Sequence, residues 1–575
     1  MSENQTLKQA SGWRLWLVWL ALAAAVLALL WKLLTLLLVD GEFLQDQGDA
    51  RTIRTEPLMA HRGMIVDRNG EPLAISTPVK SIWVNPRELS RSESDTRRLA
   101  AALQLDADSL VESVMASSAR EFLYVRRRMP PAEADIVLAM GIPGVYSRQE
   151  YQRYYPQGEV TAHVLGFSNV DDIGQEGLEL AFDDWLKGVP GRQQVIKDRR
   201  GRIVRELNTI QTAQPGNTLE LSIDFRLQNL AYKELKAEFI HRRARSASAV
   251  VLDASTGEIL AMVNQPSFNP HNRATISDFG ALRNRAVTDL FEPGSTLKTF
   301  TAVAAIESGL YQRNTMINTS PGRMRVGRDW VEDRGYDYGE ISLQDMLVKS
   351  SNVGSAKIAL AVGHEALRDV LLRVGFGESP ASGFPGERVG VMPNHRIWHD
   401  IETATLSFGY GMSTSALQLA QAYAVIANDG LRMPVTMLKG GNSGSAAVSP
   451  QRVIDQSVVS VVKAMLESVV DPVAGGSDSA SIPFYSVAGK TGTARVVGAG
   501  GYQANLHNSM FAGYAPAHDP RIVVVIIINE PQGAQHYGSQ VAAPVFARIA
   551  NGAMRLLNVT PDKVDSSRIL TLSAR

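Results

Sequence analysis

A serine and a lysine three residues apart form the first pair in this sequence that could carry out a reaction. Ser295 and Lys298 lie in the segment FEPGSTLKTF, and the Pro293-Gly294 pair before them is typical of a turn. The residues that follow have the composition of a helix, so Lys298 lies about one turn after Ser295 on the same face. A serine hydroxyl is a weak nucleophile until a base takes its proton, and a neutral amine within hydrogen-bond reach can do this. The pair therefore predicts a nucleophilic serine.

Two further short segments carry polar side chains that suit the same chemistry. Ser350 and Asn352 lie in the first of them, LVKSSNVGS. The second, YSVAGKTGTAR, has the pattern of a strand that runs past a cleft, and its polar motif consists of Lys490, Thr491, Gly492 and Thr493. Each segment alone is a common pattern with an ordinary structural explanation. Their order, and the intervals of about 50 and 140 residues between them, predict one composite site.

These three segments, S-x-x-K, S-x-N and K-T-G, resemble the signature of penicillin-binding proteins and class A β-lactamases. Longer segments resemble class B penicillin-binding proteins, and above all the septal FtsI type, also called penicillin-binding protein 3. They are RGMIVDRNGEPLA (62–74), RYYPQGEVTAHVLGF (153–167), GQEGLELAFDDWLKGVPG (174–191), TGEILAMVNQPSFNP (256–270), LSFGYGMSTSALQLAQAYAVIANDG (406–430) and FAGYAPAHDPRIVVVIIINEP (511–531). The resemblance runs from the apolar N-terminal segment to about residue 556.

The resemblance implies a peptidoglycan D,D-transpeptidase that β-lactam antibiotics acylate. In such an enzyme Ser295 attacks the carbonyl between the last two D-alanines of a stem peptide, and the amine of a second stem peptide then accepts the acyl group. It implies that Lys298 is the general base, that Ser350 relays a proton to the leaving amine and that Asn352 holds the substrate amide.

The same resemblance assigns substrate binding to the third motif. It implies that Lys490, Thr491 and Thr493 bind the terminal carboxylate, and that backbone N–H groups of Ser295 and Thr493 form an oxyanion hole. Gly492 leaves room for the substrate backbone beside the strand. Tyr410, in FGYG, is a candidate for the wall of the donor pocket, with an ordinary half-buried tyrosine as the alternative. Phe408 stands where relatives often have tyrosine, which places any hydroxyl role there in doubt.

Lys298 can act as a base only in its neutral form. A free lysine titrates near 10.4, so base catalysis at neutral pH requires that its pKa be lowered. Burial and a nearby second cation both lower the pKa of a lysine, and Lys490 is the obvious candidate for that cation. The sequence therefore predicts that Lys298 is buried close to Lys490.

An apolar segment near the N-terminus predicts a membrane anchor. Residues 15–31 carry no charge, and the apolar run resumes after Lys32 and continues to Val39. At about 1.5 Å per residue, this length matches a hydrocarbon core of about 30 Å. A cleaved signal peptide is the alternative, since Ala21-Leu22-Ala23 resembles a cleavage site. We predict an uncleaved anchor because more apolar residues follow that site.

The flanking charges and the length of the chain predict its organisation. Lys8 and Arg14 precede the anchor and favour a cytoplasmic N-terminus with the remainder periplasmic, in the inner membrane. With 575 residues the chain is too long for one core. The predicted segments are a cytoplasmic tail (1–14), the anchor (15–39), a pedestal of the dimerisation type (40–216), the transpeptidase domain (217–560) and a flexible tail (561–575).

The predicted fold class is α+β, because strands near both ends of the transpeptidase segment enclose many helical segments. The resemblance implies a mostly β, elongated pedestal and a central antiparallel sheet flanked by helices. The apolar run 523–528 is predicted to be a buried strand, residues 93–140 to be helical, and the last helix to begin at Pro544.

Composition excludes several other classes of protein. Lysine plus arginine and aspartate plus glutamate both number 58, so the basic excess of a nucleic-acid-binding protein is absent. The sequence has no cysteine, which excludes disulfides, thiolate metal sites and a cysteine nucleophile.

His364-Glu365 begins like a zinc-protease motif, but Arg368 stands where the second histidine is required. We predict neither a metal nor a cofactor.

Two other functions fit parts of the sequence. A D,D-carboxypeptidase or a β-lactamase would pass the acyl group to water, but the sequence reveals no deacylating carboxylate. A non-catalytic division scaffold or β-lactam sensor would use the anchor and the pedestal but would not need the Ser–Lys pair. The class B resemblance also implies a partner, because no glycosyltransferase domain precedes the transpeptidase segment. That partner is a membrane-embedded glycosyltransferase of the FtsW type, together with other division proteins.

Overall fold

The chain forms two compact units, neither of which is continuous in sequence. The computed structural model describes residues 12–38, 53–197, 203–273, 278–440, 449–498 and 500–563. The first unit contains residues up to Ala60 together with Pro78–Glu150 and Gly188–Pro215. The second contains His61–Thr77, Tyr151–Lys187 and the chain from Gly216 onward. The predicted boundary near residue 216 stays a prediction, and residues 1–11 and 564–575 of the predicted tails lie outside the described residues.

The first unit combines a three-stranded antiparallel sheet with several helices. The sheet has the order Ile53–Leu58, Gly191–Lys197, Ile203–Gln211. The helices are Gly12–Leu38, Pro86–Leu89, Glu93–Leu103, Ala107–Ala116 and Pro131–Ala139. A further strand, Leu123–Met129, interrupts the region 93–140 that we predicted to be helical throughout, so the prediction is wrong for these seven residues. Strands Pro72–Val84 and Val145–Tyr154 contribute residues to both units.

The N-terminal helix is the one helix in the described residues that is long and apolar enough to cross a membrane. That stretch is Trp13–Leu36, and none of it is buried against the rest of the protein. Trp13, Trp16 and Trp31 are all exposed. A helix with this exposed apolar surface needs an apolar environment to cover it, which a bilayer supplies.

A five-stranded antiparallel sheet forms the centre of the second unit. Its strand order is Ile259–Gln265, Ser246–Asp253, Ile522–Asn529, Gly501–Ala515, Ala488–Gly498. The predicted strand in the apolar run 523–528 is the middle strand of this sheet. Strand Ala488–Gly498, which carries the K-T-G motif, is an edge strand, so one side of its backbone has no neighbouring strand.

Helices cover both faces of this sheet. Val523, Val525 and Ile527 pack into a core shared with the buried helix Ala416–Ala427, whereas Val524 and the next alternate residues pack against helices on the other face. This division follows from the alternation of side chains along a strand. The second core contains residues of Phe225–His241 and Gly538–Leu556. The predicted α+β class with a central antiparallel sheet flanked by helices is confirmed.

The second unit contains further helices, single 3-10 turns and short strands. Its other helices are Ala162–Leu165, Gly177–Ala181, Asp183–Leu186, Arg285–Thr288, Lys298–Glu307, Leu343–Val348, Asn352–Val362, His364–Arg373, Asp400–Leu406 and Gln456–Val470. Single 3-10 turns span Gly158–Val160, Phe279–Leu282, Gly294–Leu297 and Asp478–Ala480. Short strands span Ile65–Val66, Phe167–Ser168, Gly174–Glu176, Leu219–Glu220, Met316–Asn318, Arg323–Val326, Asp329–Glu332, Glu340–Ser342, Leu431–Arg432 and Gln451–Arg452.

Candidate active site

Ser295 lies on a tight turn that leads directly into a buried helix. The turn spans Gly294–Leu297 and the helix begins at Lys298. Gly294 has a φ of 54°, and its N–H donates to the carbonyl of Gly409 at 3.1 Å. The hydroxyl of Tyr423, which is fully buried, donates to the carbonyl of Thr296 at 2.8 Å. These bonds hold the turn so that Ser295 stays half-exposed at the start of the helix.

Lys298 is fully buried and points to the second motif. Its amine donates to the carbonyl of Ser350 at 2.6 Å and to Oδ1 of Asn352 at 2.7 Å. The orientation of the Asn352 amide is fixed, because its Nδ2 donates to the carbonyl of Glu332 at 3.0 Å. Both oxygens that face Lys298 can only accept, so they use the two hydrogens of a neutral amine. The lone pair is then free to accept a proton.

A strained turn positions the second motif. Ser350 has a φ of 57°, in the left-handed region that side chains other than glycine rarely adopt. The carboxylate of Asp333 stabilises the turn, since it accepts from Ser351 Oγ at 2.6 Å, from Asn352 N at 2.5 Å and from Val353 N at 3.0 Å. Ser351 also caps helix Asn352–Val362. The turn directs the Ser350 hydroxyl between two lysines, 3.3 Å from Lys298 Nζ and 3.1 Å from Lys490 Nζ.

The K-T-G strand passes very close to the turn that carries Ser295. A Cβ atom added at Gly492 would lie 2.9 Å from Thr296 Cγ2 and 3.1 Å from the carbonyl oxygen of Pro293. Lys490 is 1% exposed. Only glycine at position 492 allows the edge strand to approach the Ser295 turn this closely. The glycine therefore serves the packing of the strand against that turn, and it also leaves space for substrate beside the strand.

Burial and neighbouring cations lower the pKa of both lysines. The pKa of Lys298 lies well below its usual value, first because of burial and then because of the charge of Lys490, while Asp333 acts in the opposite direction. Burial, together with Arg334, lowers the pKa of Lys490 to about 7. Burial and the charge of Lys490 thus favour the neutral form of Lys298, which is the form that can take a proton from a serine hydroxyl.

Two substitutions are expected to move the pH profile of acylation in opposite directions. Acylation should rise with pH as Lys298 loses its proton. In Lys490→Gln the repulsion that lowers the pKa of Lys298 is removed, so the profile should move to higher pH. In Asp333→Asn the opposing attraction is removed, so the profile should move to lower pH. Penicillin acylation rates measured across pH test both variants, and shifts in the same direction would contradict this electrostatic account.

Comparison with known proteins identifies the family of the chain. Residues 247–551 match the penicillin-binding protein transpeptidase domain, and residues 57–221 match the penicillin-binding protein dimerisation domain. The chain is 41% identical over 560 residues to the probable peptidoglycan D,D-transpeptidase PbpC of Pseudomonas aeruginosa, covering 97% of this chain and 98% of the relative. It is also 41% identical to peptidoglycan D,D-transpeptidase FtsI of Escherichia coli K12, covering 96% and 93%. The chain belongs to the class B penicillin-binding proteins of the FtsI type.

Solved structures agree with this membership. Penicillin-binding protein 3 from Mycobacterium tuberculosis, crystallised with ampicillin, is 29% identical and superimposes with a TM-score of 0.68. The match covers 89% of this chain and 98% of that one. The predicted resemblance to class B penicillin-binding proteins is confirmed.

In this penicillin-binding protein, residues of the first two motifs meet at a cavity of about 290 Å³. It is lined by Ser295, Asp333, Arg334, Tyr336, Tyr338, Lys349, Ser350, Asn352 and Tyr537. The sequence motifs did not predict Asp333, Arg334 or the three tyrosines. For Asp333, Arg334, Tyr336 and Tyr338 the only sequence signal is the run of charged and aromatic residues in EDRGYDYGE, which resembles an ordinary polar loop, and Tyr537 lies outside that run.

Three residues predicted to contact substrate, namely Tyr410, Thr491 and Thr493, are not among those that line this cavity. Tyr410 contacts Phe408 and Tyr502, with ring centroids 5.8 and 5.5 Å away. Phe408 is 7% exposed and packs in a small apolar core, which accounts for a phenyl ring there. Thr493 Oγ1 accepts a hydrogen bond from the backbone of Gly538 at 3.0 Å, and Thr491 Oγ1 accepts one from Lys490 at 3.4 Å. Their predicted roles with substrate stay predictions.

Proposed function

We propose that this chain is a peptidoglycan D,D-transpeptidase that cross-links stem peptides through an acyl-enzyme on Ser295. The observation that carries the proposal is the bridging position of Ser350, whose hydroxyl contacts both buried lysines beside Ser295. The names of the Pseudomonas and Escherichia relatives support the same activity.

The first half-reaction begins with proton transfer from Ser295 to neutral Lys298. The Ser295 oxygen then attacks the carbonyl carbon of the penultimate D-alanine, and the N–H groups of Ser295 and Thr493 stabilise the oxyanion. Removal of one such donor typically costs about 2.7–4 kcal/mol of transition-state stabilisation. The proton returns through Ser350 to the leaving D-alanine nitrogen, and the acyl-enzyme remains.

The edge strand Ala488–Gly498 and Asn352 bind the substrate. An edge strand can pair with an extended peptide through its free backbone groups, which suits a stem peptide beside Gly492. Lys490, Thr491 and Thr493 bind the terminal carboxylate, Asn352 holds the substrate amide and Tyr410 lines the donor pocket. A β-lactam enters by the same route, because its strained amide and carboxylate take the places of the scissile amide and the terminal carboxylate.

The N-terminal helix supports a location in a membrane. We assign Trp13–Leu36 as a single inner-membrane anchor with its N-terminus in the cytoplasm and the catalytic domain in the periplasm. Residues 40–216 form the pedestal, which the dimerisation-domain match over 57–221 supports. Glycan polymerisation comes from a membrane-embedded glycosyltransferase of the FtsW type, which the anchor and the pedestal contact during septal synthesis.

The proposal can be tested with synthetic stem peptides. The full chain is incubated with a donor pentapeptide ending in D-Ala-D-Ala and an acceptor peptide with a free side-chain amine, and mass spectrometry measures the products. We expect a cross-linked dimer in excess of hydrolysed tetrapeptide, and neither product with Ser295→Ala. Tetrapeptide alone would indicate a carboxypeptidase, and no product from folded native protein would favour the scaffold hypothesis.

A further inference from the structure

A second cavity of about 450 Å³ lies at one end of the central sheet, outside the acyl site. Its floor is formed by the first residues of strand Ser246–Asp253 and the last residues of Ile522–Asn529, which pair with each other. Its walls come from the segment Arg283–Phe291, from Arg388 and from the first residue of helix Ala416–Ala427. None of the residues that line it belongs to the three motifs.

The charges around this second cavity are mostly positive. Three arginines and one carboxylate line it, namely Arg283, Arg285, Arg388 and Asp289. Asp289 accepts from Arg283 and, at 2.8 Å, from Arg285. Within the described residues, the guanidinium of Arg388 makes no hydrogen bond or ion pair. The carboxylate of Asp289 can balance only one of the three positive charges, so the lining carries a net charge of about +2.

Two residues that line the cavity also carry a buried polar atom without a partner. Nε of Arg285 and Oδ1 of Asn529 are buried and form no hydrogen bond. A buried polar atom without a partner is costly, so such atoms are normally satisfied by protein, water or a ligand. Ser246, Ser248 and Thr288 also line the cavity; the hydroxyl of Ser248 donates to Oδ1 of Asn264 at 2.8 Å and that of Thr288 donates to the carbonyl of Asn284 at 3.0 Å. The amide of Asn529 can present either its oxygen or its nitrogen.

We propose that this cavity binds a small soluble anion that carries at least two negative charges. Guanidinium groups are the preferred partners of phosphate and carboxylate because their planar fork donates parallel hydrogen bonds. The volume lies in the range of small-molecule sites. A phosphate ester and a dicarboxylate share this chemistry.

Phe291 lines the cavity four residues before Ser295, and it pairs with Thr414 through backbone bonds of 3.0 and 2.9 Å, so the site borders the segment that leads to the nucleophile.

Calorimetric titration of the full chain in detergent at low ionic strength tests the proposal, with inorganic pyrophosphate and malonate as probes. We expect saturable binding of at least one probe, and the tighter of the two assigns the chemistry. Arg388→Gln should weaken binding about tenfold or more, because it removes a charge-assisted contact. Arg328→Gln, which neutralises an exposed arginine outside the cavity, is the matched control and should leave binding unchanged.

Two further results separate this site from the acyl site. Protein acylated with penicillin, and Ser295→Ala, should bind the probe as tightly as the native chain does. No saturable binding of either probe at low millimolar concentration would overturn the proposal. Equal binding by the native chain and Arg388→Gln would overturn it as well. Neither result would bear on transpeptidation, which the peptide assay measures separately.

Discussion

Replacement of Lys298 by arginine is expected to reduce the rate of penicillin acylation about 10³-fold, within the usual range for the loss of a general base. Arginine keeps the positive charge but cannot lose its proton in a protein, so it cannot accept the hydrogen of Ser295. Stopped-flow or gel-based measurement of acylation at saturating penicillin gives the rate. The residual rate should not rise with pH as the native rate does, because no titration of residue 298 remains, so the loss relative to the native chain should grow as pH rises.

The same exchange at Lys357 provides the control for this variant. Lys357 lies on helix Asn352–Val362, near the second motif, and its amine donates to the carbonyl of Asn318 at 2.6 Å. Lys357→Arg should acylate at the native rate. If Lys298→Arg folds and also retains native acylation, Lys298 is not the base, and the proton of Ser295 must go elsewhere.

Replacement of Gly492 by alanine is expected to lower acylation about 100-fold. The added Cβ would stand 2.9 Å from Thr296 Cγ2 and 3.1 Å from the backbone oxygen of Pro293, so the edge strand must move away from the nucleophile turn. A displacement of about 1 Å at a reacting centre can cost about 10²-fold in rate. The acylation rate, measured with thermal unfolding of the same sample, separates this loss from misfolding.

Gly498 offers a matched control on the same strand. A Cβ added there would meet only the end of the Gln503 side chain, 2.8 Å away, and that side chain can rotate aside. Gly498→Ala should therefore acylate at nearly the native rate. Equal losses in the two variants would show that alanine weakens the strand in general, and the argument from close approach at Gly492 would be wrong.

The sequence predicts the members of the site better than their arrangement. The three motifs supply Ser295, Lys298, Ser350, Asn352 and Lys490, because local spacing and residue type are visible in a sequence. The contribution of Asp333 is not visible, since it depends on a loop that folds back onto the second motif, where Asp333 contacts Ser351, 18 residues later in the chain. Nor does a sequence pattern reveal the left-handed backbone of Ser350, which tertiary contacts impose.

The fold shows the same division between local pattern and tertiary context. The apolar run around Val523–Ile528 is a strand because both of its faces are buried, and its composition indicates this. A sequence pattern does not reveal the strand Leu123–Met129, because LYVRRRM carries three charges and lies between helices. The last helix begins at Gly538, six residues before the predicted start, with Pro544 inside it. Proline is normally a helix-start signal, and here the packing of both halves on the sheet overrides that preference.

Labelling with a fluorescent penicillin, followed by mass spectrometry of the labelled peptide, tests the central claim most directly. The native chain should form a long-lived adduct, and the modified residue should be Ser295. Ser295→Ala should fold, as judged by its thermal unfolding, and should take up no label. A label on another residue, persistent labelling of Ser295→Ala, or rapid release of hydrolysed penicillin by the native chain would contradict a Ser295 acyl-enzyme transpeptidase.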